Sequence, residues 1–482
     1  MSVEMKSSMR TKTAVSGLAA ALLLMAVTAC GGGGGGLATT GGGRPGTPVP
    51  QLPIPPPDPP PTDLQVHASD YASDPEYRQN WGLGQIDAAT AYARIAQRDG
   101  AETAPGAGAR VAVIDTGIDL GHWEFNTGRI TRTNPAVADT VPTHGTAVAS
   151  VIAAQRNGRD VPYRFTDNDF HGVAWGVERL EVMSIALASV DPGEPYRSTG
   201  LQSLGTIVER LADQVSGLSE TDFVNLSFAH RGLIENYVGA SLGSPYAAAV
   251  ETLAQANAGP DNGKTILILA AGNAHGRKCA ASEPNCVNGE IVASSPELYA
   301  GLPVLEASLR NHVVAAVATD RNGRIASFSN RCGIAAKWCI GAPGDKVPVA
   351  YYGPHPQNDS RLVRGYGTSS GTSIAAPFVT GGLAVLKHWF RGQLKNEALL
   401  ARLYETARVT PDAVPAGRTC PAHLDLDGDL SDCELSSTLG RGLMNLGAAA
   451  APVGTMSFAL GLIYQFTQRG GKALIWKNYT PS

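Results

Sequence analysis

Four side chains of chemically useful type stand where apolar runs end or helical patterns begin. Asp115 ends the run Val111-Ala112-Val113-Ile114, in the segment Asp115-Thr116-Gly117-Ile118-Asp119. Open α/β sheets bind ligands outside the carboxyl ends of their strands, so a carboxylate there can orient a base. His144, in Thr143-His144-Gly145-Thr146, opens a small, apolar run from Ala147 to Ala154 that reads as a buried helix. Ser373 stands in Gly371-Thr372-Ser373-Ile374-Ala375-Ala376-Pro377, ahead of a helical pattern that continues to Trp389. Near a helix N-terminus, backbone N–H groups point outward and favour negative charge. Pro377 has no N–H, so the Ser373 carbonyl loses its helical partner. Asn273 comes after the run Ile266 to Ala271 and Gly272, and its amide can donate to an oxyanion. Alone, each has an ordinary structural reading as a turn, a hydrogen bonder or a helix cap. Together, in the order Asp, His, Ser, they supply a nucleophile, its base, an orienting carboxylate and an oxyanion donor.

These residues need a scaffold that brings distant segments together. The runs Val111 to Ile114, Val182 to Ala186, Phe223 to Leu226, Ile266 to Ala271 and Val313 to Ala318 are short and largely apolar instead of alternating. Strands buried on both faces read that way, which predicts an α/β fold with a parallel sheet covered by helices. The chain has 482 residues, 43% of them hydrophobic and 17% charged, which excludes wholesale disorder. Its 38 basic and 42 acidic residues leave a net charge of -4, which gives no basis for nucleic-acid binding.

The segments around Asp115, His144 and Ser373 resemble the three signatures of subtilisin-like serine peptidases, and Ala271-Gly272-Asn273 resembles their oxyanion element. The resemblance runs from about residue 70 to 447. It implies a three-layer α/β/α sandwich around a mostly parallel sheet of about seven strands. It also implies a serine endopeptidase acting on protein substrates, as a monomer and without a cofactor or metal. Asp115, His144 and Ser373 would be its triad and Asn273 its oxyanion donor. Ser227-Phe228-Ala229 and Gly272 would bind the substrate backbone. His122-Trp123-Glu124-Phe125 and Ala174-Trp175 depart from the family pattern, and the methyl of Ala229 narrows the expected pocket. His122 reads as structural.

The termini address location. Lys6, Arg10 and Lys12 precede the apolar stretch Ala14 to Ala29, which is expected to be a signal peptide over residues 1–30. Val27-Thr28-Ala29-Cys30 resembles a lipobox, which would lipidate Cys30; an ordinary signal with an incidental Cys30 is the other reading. Gly31, not Asp, comes next after Cys30, which in the resemblance implies an outer-membrane or cell-surface lipoprotein held to the membrane by its lipid. Residues 31–61 hold 10 Gly and 10 Pro, so 31–62 is expected to be a tether. The peptidase domain would span 63–447, with a tail of unknown role over 448–482. Six further cysteines fall into close pairs: Cys279 and Cys286, Cys332 and Cys339, Cys420 and Cys433. Local disulfides are the simplest pairing for an exported chain, although sequence alone leaves the connectivity open. The acidic stretch Asp425 to Asp432 departs from the EF-hand spacing and reads as a solvated loop.

A narrower resemblance is to autotransporter subtilases, surface lipoproteins of Gram-negative bacteria with a C-terminal β-barrel. It rests on the lipobox, the tether, Trp81-Gly82-Leu83, Ile86 with Ala88-Ala89, and the cysteine pairs at 279/286 and 332/339. The 35 residues after Gly447 are too few for such a barrel, so the resemblance is expected to stop short of the translocator.

Overall fold

Each of the five apolar runs falls on a strand of one parallel sheet. The computed structural model describes residues 63–134, 143–158, 169–184 and 204–466, less 219, 241–243, 260, 356–357, 409–434, 453 and 458–462. The expected signal peptide and tether, Cys30, Cys420, Cys433 and the acidic stretch 425–432 lie outside the described residues. Within the tail, Gly454–Ser457 pairs antiparallel with Ile463–Phe466.

The sheet strands are β1 (Arg110–Asp115), β2 (Ile130–Asn134), β3 (Arg179–Ser184), β4 (Phe223–Leu226), β5 (Ile266–Ala270), β6 (Val313–Thr319) and β7 (Cys339–Pro343). Their spatial order is β2-β3-β1-β4-β5-β6-β7, and every pairing is parallel. Side chains alternate between two apolar layers, because successive strand residues point to opposite faces. Val111, Val113, Ile266 and Ile268 join one layer, while Ala112, Ile114, Leu267 and Leu269 join the other. Helices Ala88–Asp99, Thr143–Ala153 and Thr372–Phe390 contribute to the first layer; Ser244–Gln255 and Leu298–Leu305 contribute to the second. This is the expected three-layer arrangement. In register, Ile114 stands beside Leu226, and Leu226 beside Leu269. The residues after β1, β4 and β5 therefore emerge together at one edge of the sheet.

The serine helix, Thr372–Phe390, is buried almost throughout, with Trp389 only partly so. A helix apolar on all sides belongs inside a protein, and this one packs on β4, β5 and β6 and on the histidine helix Thr143–Ala153. Just before it, β8 (Val347–His355) and β9 (Asn358–Ser369) form an antiparallel hairpin. The Ala350 N–H donates to Ser150 Oγ on the histidine helix (2.9 Å), and Arg364 grips Asp119 bidentately at 2.6 and 2.9 Å. Cys279 is bonded to Cys286, and Cys332 to Cys339, as local pairing anticipates.

The hairpin also carries Tyr366 into a buried acidic cluster. Its hydroxyl meets Glu124 Oε1 and lies 2.8 Å from Asp169 Oδ1, while the Trp123 indole donates to it at 3.0 Å. A phenol has one proton for two carboxylates, so the geometry is satisfied when one carboxyl is protonated. Burial first, and then the charges of Asp169 and Glu76, push the Glu124 carboxyl from 4.5 up to about 8. A carboxyl raised on folding holds its proton longer in the native state, so stability falls as pH rises between those two values. The Glu124→Gln protein should therefore lose less melting temperature than the wild type between about pH 5 and pH 8. Thermal melts at the two pH values check this, and equal losses would remove Glu124 as a titrating group.

Candidate active site

Asp115 ends β1 with no exposed surface. A buried carboxylate needs hydrogen-bond donors, and two are present. The Thr116 N–H donates to Oδ1 at 2.7 Å, and His144 Nδ1 lies 2.8 Å from Oδ1 and 3.0 Å from Oδ2. The histidine helix approaches closely enough for this only because residue 145 is glycine. A Cβ there would stand 2.0 Å from the Gly117 carbonyl oxygen. Two cross-bonds fix the approach: Gly145 N–H to Thr116 Oγ1 (3.0 Å) and Asp119 N–H to Thr146 Oγ1 (2.9 Å). Burial lowers the affinity of His144 for a proton, but the charge and hydrogen bond of Asp115 outweigh it and raise its pKa above the ordinary 6.5. Nδ1 faces Asp115, which leaves Nε2 as the reactive nitrogen. The side chain keeps 37% of its surface exposed, so it is reachable.

Ser373 is the second residue of its helix, where backbone N–H groups have no intrahelical acceptor. The carbonyl that Pro377 leaves unpaired finds a different donor: Ser227 Oγ bonds Ser373 O at 2.7 Å. Ser227 is held in turn by Asn225 Nδ2 (2.8 Å), and the Asn225 amide oxygen accepts from Thr380 Oγ1 at 3.1 Å. Thus the Ser227 hydroxyl positions the serine helix, while Ser227, Phe228 and Ala229 line the cleft. Sequence reasoning misses Asn225 and Thr380. The signal for Asn225 is an amide inside an otherwise apolar buried strand.

Asn273 comes directly after Gly272, whose φ of +112° suits glycine. Asn273 Oδ1 accepts from the Thr372 N–H (2.8 Å) and Thr372 Oγ1 (3.1 Å), which turns Nδ2 toward the start of the serine helix. Three groups face the space above Gly371. From the point where a Cβ on Gly371 would stand, Ser373 Oγ is 2.7 Å away, Asn273 Nδ2 3.5 Å and Ser373 N 3.6 Å. His144, Ser227, Phe228, Ala229, Gly272, Asn273 and Ser373 all line one cleft of about 570 Å³. Among the described residues no hydrogen bond joins Ser373 Oγ to His144; such contacts often close only with substrate bound. His122, read as structural, is buried and bonds the Gly365 carbonyl at 3.0 Å. Among the described residues, no cluster of His, Cys, Asp or Glu is arranged to hold a metal ion.

A parallel sheet whose carboxyl edge gathers an Asp–His pair, a helix-borne serine and an asparagine amide around one cleft defines an open α/β protein with its candidate site beyond the strand ends. Residues 106–442 match the family model described as the subtilase family, and the chain belongs to that family. It is 27% identical over 359 residues to an extracellular serine protease of Serratia marcescens, covering 68% of this chain and 31% of that protein. It is 34% identical over 130 residues to serotype-specific antigen 1 of Mannheimia haemolytica, covering 27% of this chain and 12% of that protein. The chain thus spans about a third or less of both relatives. The solved structure of MycP1 with its N-terminal propeptide removed aligns with a TM-score of 0.48 at 20% identity, over 77% of this chain and 96% of that one.

The Asn273 amide is held by Thr372 and lies near Ser373, where its Nδ2 could donate to a group in the cleft. Asn273→Ala should lower kcat by about 10²- to 10³-fold with little change in KM, as for the corresponding donor in subtilisin. Steady-state kinetics on a peptide substrate check this, and a change confined to KM would assign Asn273 to ground-state binding.

Proposed function

We propose that this protein is a serine endopeptidase that uses Asp115, His144 and Ser373 as its triad. The observation that carries the reading is the 2.8 Å bond between His144 Nδ1 and the buried Asp115 carboxylate, in a cleft that Ser373 and Asn273 also line. Ser373 Oγ attacks the scissile carbonyl while His144 Nε2 takes its proton. The tetrahedral oxyanion is received by Asn273 Nδ2 and the Ser373 N–H. His144 then returns the proton to the leaving amine, and Asp115 orients the ring and stabilises the imidazolium. Water repeats the sequence on the acyl-enzyme and frees Ser373. His144 must be neutral to act as base, so its raised pKa places the rise in activity above the ordinary imidazole value.

The peptidase unit in this reading is residues 63–447, acting as a monomer on protein substrates. Export is supported by the basic, then apolar, N-terminal stretch and by the relative named as an extracellular serine protease. Anchoring is a separate part of the proposal and rests on Cys30 at the end of the lipobox-like sequence. Residues 31–62 would give the domain reach from the membrane, and 448–482 would form a tail beyond it.

Two experiments test these parts independently. Ser373→Ala should fold like the wild type, fail to label with a fluorophosphonate probe and lose casein cleavage, by about 10⁶-fold if the triad acts as in subtilisin. Activity within tenfold of wild type would refute the serine mechanism. For the anchor, the full-length protein made in a Gram-negative host should fractionate with membranes and take up radioactive palmitate. Cys30→Ala should abolish both, while a chain beginning at Asp63 should be soluble and proteolytic. Unlabelled, freely soluble wild type would show an ordinary secretory signal.

A further inference from the structure

Two carboxyls line the cleft without a part in the proposed reaction, Glu283, which pairs with Arg277 at 2.9 Å, and Glu297. Glu297 lies at the start of the helix Leu298–Leu305, and its N–H bonds the Ala271 carbonyl at 2.8 Å. Only 9% of its surface is exposed, and it lines the same cleft as Ser373. Its side chain lies against Gly272, with Cδ 2.8 Å from where a Cβ on that glycine would stand. Among the described residues no hydrogen bond or ion pair engages the carboxyl. Arg231 and Arg277, the two guanidinium groups whose charge reaches it, line the same cleft. Arg277 pairs with Glu283 at 2.9 Å and donates to the Lys278 carbonyl. The buried Asn330 pins both sides of the site, donating to the Ser295 carbonyl at 3.2 Å and accepting from the Ala274 N–H at 2.8 Å.

Resting on the peptidase reading above, we propose that Glu297 determines specificity, selecting peptides whose acyl-side residue at the scissile bond is lysine or arginine. The argument is one of position and of an unmet partner. In that reading the scissile carbonyl sits between Ser373 and Asn273. The side chain on the adjacent Cα enters the cleft beside Gly272, Phe228 and Ala229, where Glu297 packs against the residue preceding the oxyanion donor. A buried carboxyl without a partner is costly, and a cation bearing N–H donors satisfies it best. An acidic side chain would set two carboxyls together, and an apolar one would leave Glu297 desolvated and unpaired. Burial holds the empty site's carboxyl up to about 7, partly offset by Arg231 and Arg277, and a bound cation would lower it again by favouring the charged form.

The test uses a peptide series that differs only at the acyl-side residue, with Arg, Lys, Gln and Leu. Wild type should cut the Arg and Lys peptides with kcat/KM at least about tenfold above Leu, the scale of a buried charge pair. Glu297→Gln should collapse that ratio, chiefly through KM, while labelling with fluorophosphonate and cutting the Leu peptide within a few-fold of wild type. Benzamidine, a mimic of the arginine head group, should compete with the Leu peptide in the wild type, a readout that does not depend on the variant folding. Wild type that labels and cuts but favours Leu, or a ratio unchanged in Glu297→Gln, overturns this proposal alone. Wild type that neither labels nor cuts overturns the peptidase reading and this proposal with it.

Discussion

The arrangement depends on a carboxylate that has no contact with water. Asp115 stands at the end of a buried strand, where an ion without donors would be severely destabilising. Its donors are the next backbone N–H and the ring of His144, and the second requires a whole helix to come close. That requirement explains Gly145, whose missing side chain admits the Gly117 carbonyl, and the two threonines that lace the segments together. The imidazole's raised proton affinity comes from the same contact. One buried charge thus sets the helix position, the ring orientation and the basicity of the group it holds.

The serine is positioned by different means. Its helix is a nearly dry cylinder in contact with five strands of the sheet, so its axis is set by packing. Its first turn is set by polar contacts: Thr372 to Gly272 and Asn273, and the Ser373 carbonyl to Ser227. The hairpin immediately before it reaches back to both other motifs, through Ser150 on the histidine helix and through Asp119, His122 and Glu124 after β1. Three segments far apart in sequence are therefore tied pairwise.

Much of this was legible in the sequence because the chemistry leaves few choices. Central strands buried on both faces must be largely apolar, and the five runs that read that way fall on strands where they are described. The two edge strands escaped for a physical reason. Ile130–Asn134 is largely polar and Cys339–Pro343 carries a glycine and a proline, and an edge strand with one neighbour tolerates both. The candidate site residues Asp115, His144, Ser373 and Asn273 stood out because glycines and small residues crowd around them. Glu297 did not, since a glutamate before a helix looks like any solvent-facing residue until the fold closes over it. Nor could the double duty of Pro377 and Ser227 be seen. The proline announced an orphaned carbonyl, but only the tertiary structure supplies the hydroxyl that answers it.

The bond between Cys279 and Cys286 closes a small ring that carries Glu283, Pro284 and Asn285 into the wall of the cleft. The hydrogen bonds that hold Asp115, His144, Asn273 and Ser373 include none from this ring. The covalent tie in the cleft wall and the hydrogen bonds around Asp115 and Ser373 are therefore separate parts of the molecule. A span closed by a covalent bond over a sequence separation of 7 has few conformations open to it, so this wall keeps its shape independently of the hydrogen bonds around Asp115 and Ser373.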